Sequence, residues 1–474
     1  MKSKYLLIAL AVLSASALCS CEKEELQQEV STPVQNEERH LVNAELKSSV
    51  PVTQAVNELK TKLVEITEIK APVFQDIDLS KIGIDLVAYR IEYRTKDNSG
   101  NDITLSGDVA FIANRIGKKR ILESISLFHQ AFSTDEGNAT EYEQYAFPGR
   151  SIHNALVVYP HYQGAYAGRR RDLPVTFAEL LLKARQGIDC LLAAIEFIDT
   201  LEDVELSPAY YTENMGISCG SGTALATQYL LERDPGMRSK ARKVRLASTY
   251  CCEGCYSFSD LIDMITTFYP NDSQDDPEDL SLMEEFKPAC LLGLIVGTYD
   301  TWKGLRDAQG KEFFEGVDDV SVYFSKEFRE TKFVSKYTDK EVGDIFEYFR
   351  EGKLNAHDNM FRKAGFLSSN MMNPEMIKDG KINKDDSRIA ALLHALKQNE
   401  VIKSGWCPMT PLCISHSLSD EFVPYSQAFE VYDNLSHHGL NPNVHMKTLP
   451  LVNHTEGNVV FAVLDIILSK HPVD

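Results

Sequence analysis

A serine flanked by glycines is the strongest chemical signal in the sequence. Residues 215–222 read Met-Gly-Ile-Ser-Cys-Gly-Ser-Gly and contain the pattern G-x-S-x-G with Ser218 at its centre. Hydrophobic spacing predicts a strand that ends near Ile217 and a helix that begins at about Ser221, which leaves Ser218 in the turn between them. The glycines permit a tight turn, and the helix N-terminus favours an oxyanion. The pattern predicts Ser218 as a nucleophile; a glycine-rich turn without a catalytic role is the alternative.

A serine nucleophile needs a general base, and the base needs an acid that orients it. Asp420 follows a predicted strand at Thr410–Ser415, in the segment His-Ser-Leu-Ser-Asp-Glu-Phe-Val-Pro. An acid in the loop beyond the carboxyl end of this strand would lie at the same sheet edge as the serine. We predict Asp420 as the acid, with Glu421 as the fallback. Asp420 as the N-cap of the next helix is the alternative interpretation.

Only one of the late histidines falls in a suitable loop. His454 follows a predicted strand at Val444–Leu449 and precedes a predicted closing helix at Gly457–Leu468. The other histidines after Cys413 and before the terminal one fall in a strand, at a helix end or directly after a strand: His416, His437, His438 and His445. His454 is therefore predicted as the base, and a loop histidine without a role is the alternative.

An acyl-transfer site also needs hydrogen-bond donors for the oxyanion. The backbone N–H of Cys219, the residue after the serine, is the first predicted donor. The second should come from the loop after a strand that ends at Phe128, from either Gln130 or Ala131. His129 in the same loop is a further candidate, with a packed structural histidine as the equal alternative.

The elements around these residues alternate between strand and helix. A hairpin is predicted over Val87–Ile112, and short buried strands follow it, separated by connections too long for hairpins. A long amphipathic helix with apolar residues at intervals of three and four is predicted over Phe177–Ile198. Further strands are predicted at Ile121–Phe128, Ala155–Tyr159 and Val244–Ser248, and a further helix at Tyr425–Leu435. This alternation predicts an α/β fold with a mostly parallel central sheet and flanking helices.

The alternation stops between about residues 257 and 405. Helices are predicted there at Phe258–Phe268, Asp339–Phe349 and Ser387–Gln398, joined by polar and acidic loops. We predict an inserted helical lid at 257–405, which divides the α/β core into a first part, 71–256, and a second part, 406–474.

The N-terminus has the order of a secretory signal. A basic start is followed by an apolar run over Tyr5–Leu18 and then by Leu-Cys-Ser-Cys, which resembles a bacterial lipobox. We predict a signal peptide at 1–21 with Cys21 as the lipidated residue; Cys19 fits less well. The acidic residues after Cys21 resemble a surface-export signal. The expected location is the bacterial cell envelope, as an outer-membrane lipoprotein that could be exposed at the cell surface, with plain secretion as the alternative. Residues 22–70 are predicted as a tether and N-terminal extension, solvated to about Ser49.

Composition excludes several classes of protein. The 474 residues carry 49 basic and 69 acidic side chains, a formal charge of −20, and 43% of them are hydrophobic, as in ordinary globular proteins. This charge disfavours nucleic acid as a partner, and the basic run at 169–171 is more typical of a surface. The Cys-x-x-Cys at 252–255 has no second half, and the acidic stretch at 272–276 lacks the features of a calcium loop, so no metal site is predicted.

Together these motifs resemble the α/β-hydrolase superfamily, and within it secreted lipases and esterases with a helical lid between the sixth and seventh strands. Further support comes from residues 93–107, 157–164 and 416–424. Two departures concern substrate preference: His161-Tyr162-Gln163-Gly164 stands where the family has Asp-Tyr-x-Gly, and Cys219 stands where a bulkier polar residue is common. The resemblance implies a carboxylic ester substrate, either a small molecule or an ester of a glycan or lipid, and no cofactor. A serine peptidase on the same fold and a ligand-capturing lipoprotein without turnover are the alternatives.

Overall fold

Nine strands in the described part of the chain form one sheet in the order β1-β2-β3-β5-β4-β6-β7-β10-β11. The computed structural model describes residues 39–67, 84–114, 119–129, 148–164, 172–266, 282–354, 358–401, 405–449 and 453–458, which belong to a compact unit spanning Arg39–Asp474. The strands are β1 (Leu41–Pro51), β2 (Ile84–Lys96), β3 (Asp102–Asn114), β4 (Arg120–His129), β5 (Ala155–Pro160), β6 (Val204–Ile217), β7 (Leu246–Cys252), β10 (Leu412–Ser417) and β11 (Val444–Leu449). A separate hairpin contains β8 (Ile377–Lys378) and β9 (Lys381–Ile382).

Strand direction follows the length of the connections. The hairpin of β2 and β3 is antiparallel, and β3 also pairs antiparallel with β5. The six strands β5, β4, β6, β7, β10 and β11 run parallel to one another. Parallel neighbours need long crossovers, which helices supply here. The predicted fold class, an α/β fold with a mostly parallel central sheet, is confirmed.

The region before β2 differs from the prediction of a solvated tether. β1 begins at Leu41 and pairs antiparallel with β2 along its length, and the backbone N–H groups of His40 and Leu41 donate to the Glu196 carboxylate. A helix, α1 (Val52–Thr67), follows it. The tether prediction for residues 41–49 is therefore wrong: β1 alternates too weakly between apolar and polar residues to be recognised, and its stability comes from the ladder with β2.

Two apolar clusters pack around the long helix α2 (Leu180–Ile198). Its residues Leu191, Ala194 and Ile195 face a cluster formed with β2, β3, β4 and β5. Leu180, Ala184 and Ile188 belong to a second cluster, which contains α3 (Cys219–Arg233) and most of the insertion. Because α2 is buried on both sides, it connects the sheet to the insertion. The sequence placed the start of this helix three residues too early, at Phe177.

The segment between β7 and β10 is largely helical. It contains α5 (Phe258–Thr266), α6 (Leu282–Leu292), a π-helix (Gly293–Gly297), α7 (Thr298–Trp302), α8 (Lys326–Glu330), α9 (Ile345–Arg350), α10 (Met360–Lys363), α11 (Ser368–Met371) and α12 (Ser387–Lys397). Its core is aromatic: Phe328 packs against Phe324, Phe333, Phe346, Phe361 and Phe366. The predicted helix at Asp339–Phe349 is reduced to α9, because Asp344 caps its N-terminus by accepting hydrogen bonds from the N–H groups of Phe346 and Glu347. These rings belong to the same apolar cluster as Leu180 and Ala184, so the insertion and α2 share one core.

The remaining helices flank the sheet. They are α4 (Pro235–Lys240), α13 (Tyr425–Leu435) and α14 (His454–Asn458). β7 starts two residues later than predicted and runs on to Cys252. Among the described residues, no helix combines the length and the apolarity that a membrane span requires.

Candidate active site

Ser218 stands in a strained turn between β6 and α3. Its backbone φ of 52° and ψ of −125° lie in a region that side chains with a Cβ avoid. The turn is tight: a Cβ on Gly216 would come within 2.2 Å of the Gly220 carbonyl oxygen, so glycine is required there. The Ser218 N–H donates to the carbonyl of Cys252 at 2.8 Å, which fixes the turn to the end of β7. The close packing at Gly216 and the hydrogen bond to Cys252 thus hold Ser218 in a strained conformation at the carboxyl edge of the sheet.

His454 and Asp420 complete a hydrogen-bonded array with this serine. Ser218 Oγ lies 3.1 Å from His454 Nε2, and His454 Nδ1 lies 2.6 Å from Asp420 Oδ2. The three residues come from three connections at one edge of the sheet, separated by up to 236 positions in the chain. Ser218 is only 7% exposed and the Asp420 side chain is fully buried. His454, predicted in a loop, is instead the first residue of α14.

Asp420 is held as a carboxylate. Its Oδ1 accepts hydrogen bonds from the N–H groups of Phe422 at 2.8 Å and Val423 at 2.7 Å. Burial opposes its charge, but hydrogen bonds with His416 and His454 outweigh burial and hold its pKa well below the usual range. The N-cap of α13 is Pro424, so the alternative of Asp420 as that cap is wrong. A buried anion beside a histidine ring can stabilise an imidazolium.

Glu421 contacts the backbone of His454, whereas a fallback acid would have to contact the imidazole ring. Its Oε2 accepts a hydrogen bond from the backbone N–H of His454 at 3.0 Å. The carboxylate therefore holds the first turn of α14, while the imidazole ring itself meets Asp420.

Comparisons with known proteins agree on the architecture. The rice cell wall degrading esterase LipA from Xanthomonas oryzae aligns with a TM-score of 0.62 at 14% sequence identity, over 90% of this chain and 96% of that one. Candida antarctica lipase A aligns with a TM-score of 0.52 at 11% identity, over 91% of this chain and 81% of that one. The chain has the α/β-hydrolase fold. No family model and no curated protein matches the sequence.

In this α/β-hydrolase fold one predicted oxyanion donor can be located. Cys219 directly follows Ser218 and is the first residue of α3, so its backbone N–H lies in the first turn of that helix. Gln130 and Ala131, the two candidates for the second donor, lie outside the described residues. His129 is buried and packed: its Nε2 lies 2.9 Å from Asn214 Oδ1, and its Nδ1 contacts the Tyr162 hydroxyl. Burial lowers the pKa of His129 to about 3, which fits the alternative of a structural histidine.

Two further polar residues at this edge were not assigned a role from the sequence. His416, at the end of β10, lies 3.3 Å from Asp420 Oδ2 and 2.8 Å from the carbonyl oxygen of Val423 through its Nε2. Glu253 directly follows β7 and is fully buried. The signal that could have found Glu253 is its position: an acid immediately after the strand between those that precede Ser218 and Asp420.

The insertion reaches the array through aromatic rings. The Phe422 ring lies 5.4 Å from the His454 ring, and the ring of Phe286 in α6 lies 5.5 Å from the Phe422 ring. A buried polar node lies farther away: Glu179 accepts hydrogen bonds from the Trp302 indole at 2.8 Å and the Asn399 amide at 2.9 Å. The insertion is thus attached to the N-terminal end of α2 through Trp302 and Asn399, and it contacts Phe422 beside the array through Phe286.

The cysteines of the described part of the chain form no disulfide. Cys252 and Cys255 are buried, and burial raises the pKa of both thiols well above the usual value. Neutral buried thiols fit structural roles better than redox or zinc chemistry. The runs at 169–171 and 272–276 and the predicted lipidation site Cys21 lie outside the described residues.

One group in the described residues has the composition of a metal site. Glu253, Asp420 and His454 could each offer one ligand atom, and these atoms lie within 4.8 Å of one another. However, both ring nitrogens of His454 already have partners, Ser218 Oγ and Asp420 Oδ2. The geometry supports proton transfer more directly than metal binding.

Proposed function

We propose that this protein is a serine hydrolase that cleaves carboxylic esters through an acyl-enzyme. The observation that carries the proposal is the unbroken array from Ser218 Oγ through both ring nitrogens of His454 to a buried Asp420 carboxylate. This arrangement has the geometry of a catalytic triad. The alternative of a ligand-capturing protein predicts a broken array, and none of the described residues of the site favours a peptide substrate.

In the proposed reaction, Ser218 Oγ attacks the acyl carbon while His454 Nε2 takes the hydroxyl proton. The carbonyl π electrons move to its oxygen, and the N–H of Cys219 donates to the resulting oxyanion. The intermediate collapses as the bond to the alcohol breaks, and His454 returns the proton to the departing oxygen. Water then attacks the acyl carbon while His454 Nε2 takes a proton from it. The second intermediate collapses as the bond to Ser218 Oγ breaks, His454 returns the proton to that oxygen, and the carboxylic acid leaves. Asp420 stays ionised throughout and stabilises the imidazolium.

The neighbouring structures support an ester as the substrate. One is named a rice cell wall degrading esterase and another a lipase. An ester of a short to medium acyl chain, on a small alcohol, a glycan or a lipid, is the substrate class that we propose. None of the proposed steps requires a cofactor.

Hydrolysis of p-nitrophenyl acetate, butyrate and octanoate by the full-length protein in detergent tests the proposal. We expect Ser218→Ala to lower kcat/KM by about 10⁴-fold or more, because the nucleophile is lost. Ser221→Ala is the matched control: Ser221 donates to the carbonyls of Gly216 and Cys252, so its loss should affect stability more than chemistry.

Labelling separates the alternatives. A fluorophosphonate probe should react with the wild type and Ser221→Ala but not with Ser218→Ala. Cleavage of acyl-peptide p-nitroanilides in preference to esters would favour a peptidase. If the wild type shows neither turnover nor labelling, the hydrolase proposal is wrong and ligand capture becomes the better account.

We also propose that the protein is anchored to the bacterial envelope through a lipid on Cys21. Support comes from the lipobox-like sequence alone. Cells that express the protein should incorporate labelled palmitate into it, and Cys21→Ser should abolish this incorporation while Cys19→Ser leaves it intact. Incorporation into Cys21→Ser but not into Cys19→Ser would move the anchor to the earlier cysteine, and none in the wild type would leave plain secretion.

The insertion at 257–405 is proposed as a lid. Its contact with His454 through Phe286 and Phe422 is the supporting observation. If the lid opens on apolar surfaces, the rate of octanoate hydrolysis should rise steeply once the ester forms micelles. The rate of acetate hydrolysis should instead saturate smoothly with ester concentration. An identical dependence for both esters would argue against a moving lid.

A further inference from the structure

Glu253 lies between the strands that precede Ser218 and Asp420. One row of the sheet pairs Cys252 of β7 with Ile217 of β6 and Ser415 of β10. The residue after Cys252, Glu253, therefore emerges at the edge of the sheet where the site lies. The Glu253 N–H donates to the carbonyl of Ser415 at 2.9 Å. Its φ is 48°, in the left-handed region that residues with a Cβ avoid. Strained residues of this kind occur mainly at functional sites, and here the strained residue is a buried acid.

The carboxyl group of Glu253 faces the acid and not the nucleophile. Its Oε2 accepts a hydrogen bond from the Ser417 N–H at 3.1 Å and lies 3.7 Å from His416 Nε2. Its Oε1 is buried with no hydrogen-bond partner in the part of the chain that the structure describes, and a Cβ on Gly457 would lie 2.1 Å from it. The carboxyl group thus occupies the space between β10 and the first turn of α14, where His454 begins.

The carboxyl groups of Glu253 and Asp420 have oxygens within 4.8 Å of each other, so the two groups cannot both be ionised at low cost. The groups that face Glu253 are Asp420, Glu421, His416, His454 and Tyr256. Burial raises the pKa of Glu253 to about 9, and the negative charge of the nearby Asp420 carboxylate adds to the rise. The pKa of Asp420 is held low by the histidines. Near neutral pH the pair therefore has one charge, on Asp420, and Glu253 is neutral.

Building on the function proposed above, we propose that Glu253 is a second acid of the array, a positioning residue that holds Asp420 in line with His454 and replaces it when the Asp420 carboxylate is removed. A carboxyl oxygen of Glu253 already lies within 4.8 Å of ligand atoms of both residues. Without the neighbouring negative charge, the pKa of Glu253 falls and the group becomes a carboxylate beside the imidazole.

A double-mutant cycle tests this role. In the wild-type background, Glu253→Gln should keep kcat within about threefold, because a neutral amide of nearly the same shape fills the space of the neutral carboxyl group, whereas Glu253→Ala should lower kcat about tenfold with little change in KM. In an Asp420→Ala background, Glu253→Gln should lower kcat by a further tenfold or more, since an amide cannot become an anion. The rate of Asp420→Ala alone should rise with pH along a limb that Glu253→Gln abolishes.

Glu421→Gln is the matched control, because Glu421 is the other nearby acid and contacts the backbone of His454. Its effect should be the same with and without Asp420. Asp420→Asn retains the acceptor for Phe422 and Val423, so it provides the second background if Asp420→Ala does not fold.

The outcomes separate this inference from the proposed function. An equal effect of Glu253→Gln in both backgrounds, including equally undetectable rates for Asp420→Ala and the double variant, would overturn the role of second acid while leaving the hydrolase intact. A wild type without turnover or labelling would refute the hydrolase itself.

Discussion

Replacing Glu179 by glutamine should change how the stability of this protein depends on pH. Glu179 is fully enclosed where α2 meets the insertion, with Trp302 and Asn399 as its hydrogen-bond donors. Burial raises its pKa from the ordinary value of 4.5 to about 7, and the two donors and Lys183 only partly oppose the rise. The folded protein thus binds a proton between pH 4.5 and 7 that the unfolded chain does not. Stability falls as the pH rises through this interval.

The size of the effect follows from the same values. A tenfold change in an acid constant corresponds to about 1.4 kcal/mol, so a rise from 4.5 to about 7 corresponds to roughly 3 kcal/mol at full burial. Glutamine cannot ionise and should escape this loss. The difference in free energy of unfolding, Glu179→Gln minus wild type, should therefore grow by about 3 kcal/mol between pH 4.5 and pH 7.5.

Thermal unfolding followed by circular dichroism across this pH range measures the effect. For a chain of this size, 3 kcal/mol corresponds to a shift in Tm of about 3 °C. Trp302→Phe is the informative control: it removes a donor that stabilises the ionised form, so its loss of stability with rising pH should exceed that of the wild type. Parallel curves for the wild type and Glu179→Gln would refute the reasoning.

Three further outcomes are expected. Cys219→Ala should keep kcat/KM within about threefold, because the backbone and not the thiol is the proposed donor; a loss above a hundredfold would contradict this. Gly457→Ala should lower kcat about tenfold or more, since its Cβ would lie 2.1 Å from Glu253 Oε1 and displace that side chain, and wild-type kinetics would argue against the contact. Arg150→Met should cost roughly 3–5 kcal/mol in urea unfolding, because it leaves the buried Glu213 carboxylate without its ion-pair partner, and a loss below 1 kcal/mol would disprove a structural pair.

The sequence was sufficient wherever local pattern decides the structure. The glycines around Ser218 permit a tight turn that other residues would not, and apolar spacing distinguishes the buried strands from the long helix α2. Because parallel strands present their carboxyl ends at one sheet edge, Asp420 and His454 could be expected near Ser218 before their distances were known.

What the sequence did not reveal depends on contacts between distant segments. β1 is stabilised by its ladder with β2, and the polar node at Glu179 depends on Trp302 and Asn399, more than a hundred positions away. Glu253 appeared only as part of a Cys-x-x-Cys spacing, because its position directly after β7 becomes informative only once the strand order places β7 next to β10. The order and register of the strands bring these groups together, and burial then shifts their pKa values, so the tertiary structure alone decided which acid is charged.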